Sequence, residues 1–407
     1  MAYDSEILIV GGGLNGPALA LALADAGLSV TVIDRLDTAT LIERDFDGRG
    51  YALALSSMRL LSAIGVWNAV AQKAEPILEV KVTDGRVGEA PSPFMLEFDH
   101  SEIEEGPMGY MLEDRHLRRA FLAAMDAHAN ITQINDTVVD QEIDEFGARV
   151  VLASGKTLSA RVLTGCDGRS SGTAERAGIK RTGWGYEQTA LVCAIAHEKP
   201  HHGVAHQYFM PSGPLAILPL PGNRASIVWT ESAANAARIQ ALSDEDYLEV
   251  LRPRFGTFLG DISLAGQRFT YPLTLTLANA FVAPRLALVG DAAHGMHPIA
   301  GQGLNAGLKD VAALAQVLVD AMRRGEDFGR IDVLERYQSW RRFDTASLAL
   351  ATDAFNRLFS NDNPILRLGR DLGMGLVNAV PGLRRSAIRE AAGLSGELPR
   401  LLTGRPV

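Results

Sequence analysis

Ile7-Leu8-Ile9-Val10-Gly11-Gly12-Gly13-Leu14-Asn15-Gly16-Pro17 is the stretch on which the fold turns. Four aliphatic residues in a row predict a short strand buried on both faces, and the glycines behind them predict a tight turn. Residues 17–26 carry the apolar spacing of a helix closed by Gly27, and residues 29–33 form a second aliphatic strand ending at Asp34. Gly11, Gly13 and Gly16 therefore stand in the strand–turn–helix register of a dinucleotide fingerprint. The first permits the turn, the second lets a pyrophosphate approach the backbone, and the third lets helix and strand pack closely. The helix N-terminus offers N–H groups and partial positive charge to phosphates, and Asp34 offers acceptors to a ribose diol. By itself the fingerprint does not separate FAD from NAD.

Two later stretches make that choice. Val162-Leu163-Thr164-Gly165-Cys166-Asp167-Gly168-Arg169-Ser170 sets an acid at the end of an aliphatic strand. Leu286-Ala287-Leu288-Val289-Gly290-Asp291-Ala292-Ala293-His294 does so again and runs on to Gly295-Met296-His297-Pro298-Ile299-Ala300-Gly301-Gln302-Gly303-Leu304-Asn305. Acids at the C-terminal ends of parallel strands face the ligand crevice. Asp291 would suit the ribityl hydroxyls of a flavin, and a helix opening near Gly303 would aim its N–H groups at the pyrimidine edge.

Around these motifs the chain reads as two connected domains, within a length of 407 residues and an ordinary composition of 47% hydrophobic and 21% charged residues. Helices are expected over 56–64 and 115–128, a strand meander over 131–165, and short strands with Pro/Gly turns over 186–275. Helical periodicity returns after Gly303. The fold class is α/β: a Rossmann-like FAD-binding domain, with helices on both faces of a parallel sheet, plus a β-rich substrate domain and a C-terminal helical region. The expected boundaries are 1–75, 105–180 and 276–360 for the first, 76–104 and 181–275 for the second, and 361–407 for the tail.

A net charge of −9 argues against a nucleic-acid partner. Two cysteines, Cys166 and Cys193, fit a reducing compartment. With no signal-peptide pattern and no apolar run of spanning length, the chain is expected in the cytoplasm. Residues 363–407 hold seven Arg against three acids. This tail is read as a cap on the FAD domain with its arginines wet; the rival reading is peripheral contact with the inner membrane surface or a biosynthetic complex. No metal is expected. His294 and His297 belong to the loop after the Gly-Asp motif, and His201-His202-Gly203 reads as a hairpin turn. Cys166 reads as a small buried residue, since the neighbouring Asp167 would raise its pKa.

The three motifs in this order resemble the FAD-dependent aromatic hydroxylases of the para-hydroxybenzoate hydroxylase class. The run from Gly290 to Asn305, Gly213-Pro214-Leu215-Ala216-Ile217-Leu218-Pro219-Leu220-Pro221 and Val228-Trp229 resemble its ubiquinone-biosynthesis hydroxylases. The resemblance implies FAD, with NAD(P)H or a ferredoxin-type donor as electron source, and hydroxylation of an aromatic ring with O2 through a flavin C4a-hydroperoxide. The hydrophobic aromatic substrate it implies is a polyprenylated phenol. A small soluble aromatic, a secondary metabolite, or a non-catalytic flavin-binding accessory subunit remain as alternatives. No side chain declares itself a catalytic acid or base; the flavin does the chemistry, with His294 and Pro298 expected near the ring. The implied cofactor contacts are Gly11, Gly13, Leu14, Asn15, Gly16, Asp34, Arg35, Arg49, Arg115, Val138 (at the adenine), Asp167, Gly290, Asp291, Pro298, Gly301, Gly303, Leu304 and Asn305. His206, Tyr208, Arg224 and Trp229, in the substrate sheet, are the candidates for positioning the phenol.

Overall fold

The computed structural model describes residues 3–36, 49–88, 95–296, 301–359 and 373–407, with backbone alone at 349, 352 and 355–359. Its first layer is a six-stranded sheet. Strands Ile7–Val10, Val30–Asp34, Ile131–Asn135, Val162–Gly165 and Leu286–Leu288 run parallel, and Val282–Ala283 closes one edge antiparallel. Ile7, Leu8 and Ile9 are fully buried, so the aliphatic run does mark a strand covered on both faces. On one side lies helix Asn15–Asp25, buried from Gly16 to Ala24 because it is sandwiched between the sheet and further helices. The long helix Gln302–Arg323 packs against it and against Ile331–Phe359.

The second layer is a nine-stranded, mostly antiparallel sheet centred on Arg181–His197, Val204–Met210, Gly213–Leu220, Arg224–Ser232 and Phe269–Ala278. The expected strands near 215–219 and 224–230 are there, joined through a turn in which Gly222 has φ of 79°. His294–Gly295 pairs with Thr276 and Leu277, so the segment behind the Gly-Asp motif is itself stitched into this second sheet.

Two local readings need correcting. Residues 131–165 are not one meander: Ile131–Asn135 and Val162–Gly165 join the parallel sheet, and only Val138–Ile143, Ala148–Leu152 and Thr157–Ala160 form a separate antiparallel one. The segment 186–275 is not all strand, because helices Ala233–Gln240 and Asp244–Phe255 interrupt it. Both carry legible start signals. Ser232 Oγ accepts from Asn235 N–H, Ser243 Oγ accepts from Asp246 N–H, and Asp244, Glu245 and Asp246 fill a first turn that favours negative charge.

The described part of the tail is a strap. Met374 packs against Phe209, and Ile388 and Ala392 join a cluster with Leu55, Ile77 and Met108. Arg384 pairs with Glu102 at 2.8 Å, Arg389 with Glu105 at 2.8 Å, and Arg400 with Asp320.

Candidate functional site

Backbone hydrogen bonds bring the three motifs to one edge of the parallel sheet. Gly11 N–H donates to Ile33 O at 2.8 Å, Cys166 N–H to Val10 O at 2.7 Å, and Val289 N–H to Gly165 O at 2.9 Å. The turns behind these strands then touch through missing side chains. A Cβ on Gly11, where φ is 112°, would run into the Cys166 carbonyl and stand 2.9 Å from Asp167 N. The Asn15 carboxamide fills a slot that a Cβ on either Gly290 or Gly307 would close. The first motif is thus keyed into both of the others.

This edge fits a dinucleotide. A Cβ on Gly13 or on Gly303 would have nothing within 4 Å, so both glycines face open space. Helix Asn15–Asp25 begins with no side-chain cap, and so does Gln302–Arg323 behind left-handed Gly301. Two helix N-termini therefore present N–H groups and partial positive charge to this edge. Asp34 Oδ2 accepts from Gly12 N–H and Oδ1 accepts from Leu36 N–H at 2.7 Å, which leaves lone pairs for a diol. Exposed Arg35 follows it. Asn15 Oδ1 is buried without a hydrogen-bond partner among the described residues. Val138 is buried just past a turn pinned by Asp136 N–H to Asp34 O at 2.9 Å, which sets it at the end of the same strand.

Leu14 is a buried core residue, so only its backbone can reach a ligand, whereas Leu304 packs partly buried against that core. Arg49 Nη2 stands 3.5 Å from Asp114 Oδ2, and Arg115 Nε donates to Glu113 Oε2 at 2.7 Å. Pro298 and His297 lie outside the described residues.

Asp291 stands at this edge with its side chain 37% exposed, held by Arg169, whose Nε is 3.0 Å from Oδ2. Arg169 also donates to the Met296 carbonyl at 3.1 Å. The sequence reading missed this arginine, although it stands two residues beyond Asp167 in the second motif.

Three other expected contacts have side chains committed to the protein. His294 points inward. It is 1% exposed, and its Nε2–H donates inward to the fully buried Asp310. Asn305 has no side-chain capacity left for a cofactor. Its Oδ1 accepts from Ala54 N–H at 2.9 Å and Ser57 Oγ at 2.7 Å, while Nδ2 donates to Ala52 O at 2.8 Å and Gly301 O at 3.1 Å. These four bonds exhaust a carboxamide and instead moor the long helix to strand Gly50–Ala54. The Asp167 carboxylate is likewise turned to the protein, taking Ser171 Oγ on one oxygen and Thr173 N–H and Oγ1, each at 2.9 Å, on the other. It thereby accepts from the first turn of helix Gly172–Arg176, whose N-cap is Ser171.

Strand parity turns three of the four substrate candidates away from the first layer. His206, Tyr208 and Trp229 pair with Ile217, Leu215 and Leu215, and all point to the face covered by the two inserted helices. Trp229 is fully buried there, donating Nε1–H to Glu231 at 3.0 Å under the Arg254 guanidinium. Burial, aided by the Lys81 charge, lowers His206 to about 4. Arg224 sits at a strand start, with Nη2 2.9 Å from Glu113 Oε1, and ties the second sheet to the helix bearing Arg115.

The opposite face looks toward the first layer. One row across it runs Val82, Gln207, Ala216, Val228, Val192 and Phe269. Ala216, Leu218 and Val228 remain only partly buried between buried neighbours, which leaves an apolar floor. Burial first, then the charges of Asp167 and Asp310, push the Cys166 thiol well above the usual range, which disfavours the thiolate.

Comparison with known proteins agrees with this geometry. Residues 4–348 match the family described as FAD binding domain. Ubiquinone hydroxylase UbiL of Rhodospirillum rubrum is 45% identical, covering 99% of this chain and 94% of its own. The 3-demethoxyubiquinol 3-hydroxylase of Escherichia coli is 36% identical over 96% of this chain and 99% of its own. The crystal structure of p-nitrophenol 4-monooxygenase PnpA from Pseudomonas putida shares the fold, with a TM-score of 0.79 at 19% identity over 98% of this chain and 100% of that one.

Proposed function

This chain belongs to the FAD-binding-domain family of flavoprotein monooxygenases, and from that premise we propose that it hydroxylates the ring of a polyprenylated phenol in ubiquinone biosynthesis. The observation that carries the substrate is the 45% identity to a ubiquinone hydroxylase over nearly the whole chain. When bound, FAD supplies the oxygen-activating redox chemistry, drawing electrons from NAD(P)H or a ferredoxin-type donor.

The chain's own residues bind, orient and shield. Gly13 and the N–H groups opening helix Asn15–Asp25 hold the pyrophosphate. Asp34 takes a ribose diol, and Asp291 takes the ribityl hydroxyls. The N–H groups of Gly303 and Leu304 would meet the pyrimidine edge of the bound ring, where a helix N-terminus stabilises negative charge by roughly 0.3–2 kcal/mol. Arg49 and Arg115, each held beside a carboxylate, would contact FAD phosphate or ribose. Ala216, Leu218 and Val228 would give the aromatic ring an apolar floor.

A prenyl tail also needs an apolar route. Leu376, Val380 and Leu383 are 60%, 38% and 50% exposed, beside exposed Arg385. A grease-and-cation surface of this kind suits the face of an anionic membrane holding the substrate. Deleting the gene and weighing the lipid extract by mass spectrometry tests the function. A prenylated phenol lacking one oxygen should accumulate while ubiquinone falls. An unchanged quinone pool in a strain with no redundant enzyme would reject the assignment.

A further inference from the structure

Asp310 lies about two turns into the long helix and is fully buried, yet three donors converge on it. Gly290 N–H donates to Oδ2 at 2.9 Å, His294 Nε2–H donates to the same oxygen, and Arg341 Nε donates to Oδ1 at 2.8 Å. Arg341, 5% exposed, comes from the following helix and continues to Thr345 Oγ1 at 3.3 Å and to Asp344. Tyr337, one turn earlier on that helix, donates its hydroxyl to Leu288 O at 2.7 Å, the last residue of the strand feeding the Gly-Asp turn. A carboxylate can only accept, so the His294 proton is on Nε2, and Nδ1 is left buried without a partner among the described residues. Burial opposes the Asp310 charge, but His294 and Arg341 more than offset it, holding the carboxyl below its usual range.

Such a cluster is costly for a fold to maintain, and apolar packing could replace it without loss of stability. Its geometry shows what apolar packing could not do. One carboxylate registers the Gly290–Asp291 turn, the helix whose N-terminus opens at Gln302, and the helix behind both. We propose that His294, Asp310 and Arg341 are positioning residues for the flavin: they fix the separation between Asp291 and the Gln302 helix N-terminus, so that ribityl chain and ring edge are met together. This rests on the flavin reading above, and it assigns His294 a role behind the turn in place of contact with the ring.

The test is FAD affinity of the flavin-free chain, by quenching of flavin fluorescence, alongside its melting temperature without flavin. His294→Ala removes the donor; His294→Gln keeps an N–H at similar reach. His294→Ala should weaken FAD binding by about tenfold or more, the size expected for losing a hydrogen bond to a charged group, and His294→Gln should restore most of it. Asp310→Asn, which turns an acceptor into a donor facing donors, should match or exceed the alanine loss and perturb the bound flavin's visible absorption bands. A merely structural cluster would lower the melting temperature in all three while the folded protein kept wild-type affinity, and that result would overturn the proposal. So would loss of the melting transition in both His294 variants, which would assign the cluster to folding alone. Failure of the wild-type chain itself to bind FAD would instead remove the flavin reading.

Discussion

Arg169 Nε lies 3.0 Å from Asp291 Oδ2, joining the ends of two neighbouring parallel strands whose motifs are 122 residues apart. Both side chains are more than a third exposed, so the pair itself contributes under about 1 kcal/mol to folding. Its value is in where it holds the carboxylate. Asp291→Ala should leave the melting temperature of the flavin-free chain nearly unchanged and weaken FAD binding by about 10- to 100-fold, the equivalent of roughly 1.5–3 kcal/mol for hydrogen bonds to a charge. Calorimetry and flavin titration on one preparation check both halves. A large fall in melting temperature with intact affinity would reverse the assignment.

Gly11 and Gly13 should separate when each is changed to alanine. A Cβ on Gly11 meets the Cys166 carbonyl in a backbone conformation that L residues avoid, so Gly11→Ala should fail to fold or lose several degrees of stability. A Cβ on Gly13 meets nothing, so Gly13→Ala should fold normally while its methyl occupies the space the pyrophosphate needs. Soluble yield, melting temperature and FAD content distinguish them. A Gly13→Ala protein that purifies with full flavin would show that the phosphates lie elsewhere.

What could be read beforehand was local in sequence. Ile7–Val10, its glycine turn and the Gly-Asp run declare themselves by spacing alone, because neighbours along the chain set their geometry. The Asp310 clamp has no motif; it exists because residue 310 falls on the helix side facing Gly290, which depends on where the helix begins. The misplacement of His206, Tyr208 and Trp229 has the same origin. With a side-chain period of two, residue type cannot reveal which face is covered by helices, and the missed helices Ala233–Gln240 and Asp244–Phe255 were what covered this one. Arg224 found its partner Glu113 across 111 residues, a pairing that composition does not announce.

Asn305 supplies a third test. Its carboxamide satisfies Ala54 N–H, Ser57 Oγ, Ala52 O and Gly301 O, all at the junction of the long helix and strand Gly50–Ala54. Asn305→Ala strands buried donors and acceptors and should cost about 2–4 kcal/mol of stability, on the scale of 1–3 kcal/mol for each buried group left unpaired. Urea unfolding measures it. A loss under about 0.5 kcal/mol, the range of a neutral surface change, would mean water replaces the amide at no cost.

The two faces of the substrate sheet should answer differently to mutation. Trp229→Phe, on the helix-covered face, loses its bond to Glu231 and should lower stability while leaving KM for the aromatic substrate alone. Ala216→Phe, on the floor side, adds bulk where the ring is to lie and should raise KM or abolish turnover at little cost in melting temperature. Steady-state kinetics with a short-chain prenylphenol decides between them. Equal KM effects from both variants would refute the placement of the ring.

His206 gives the pH dependence. Its ring stacks parallel to Tyr208 with centroids 6.0 Å apart and lies 4.6 Å from Phe258, and Lys81 is the charge that bears on it, itself paired with Glu79 at 3.4 Å and Glu97 at 3.7 Å. Burial foremost, then Lys81, lowers its pKa from 6.5 to about 4 in the folded chain. The unfolded chain therefore binds a proton on this histidine below about pH 6.5 that the folded chain refuses until about 4. Stability from this group is full above the unfolded value and falls as pH drops through the window. Between pH 7 and 5 the loss should be about 1–2 kcal/mol, after allowing for the ring's partial exposure. His206→Gln cannot take up the proton, so its stability should change less over the same interval. Urea unfolding of the flavin-free chain at both pH values measures the difference, and parallel pH profiles for the two proteins would show that His206 is protonated as readily folded as unfolded.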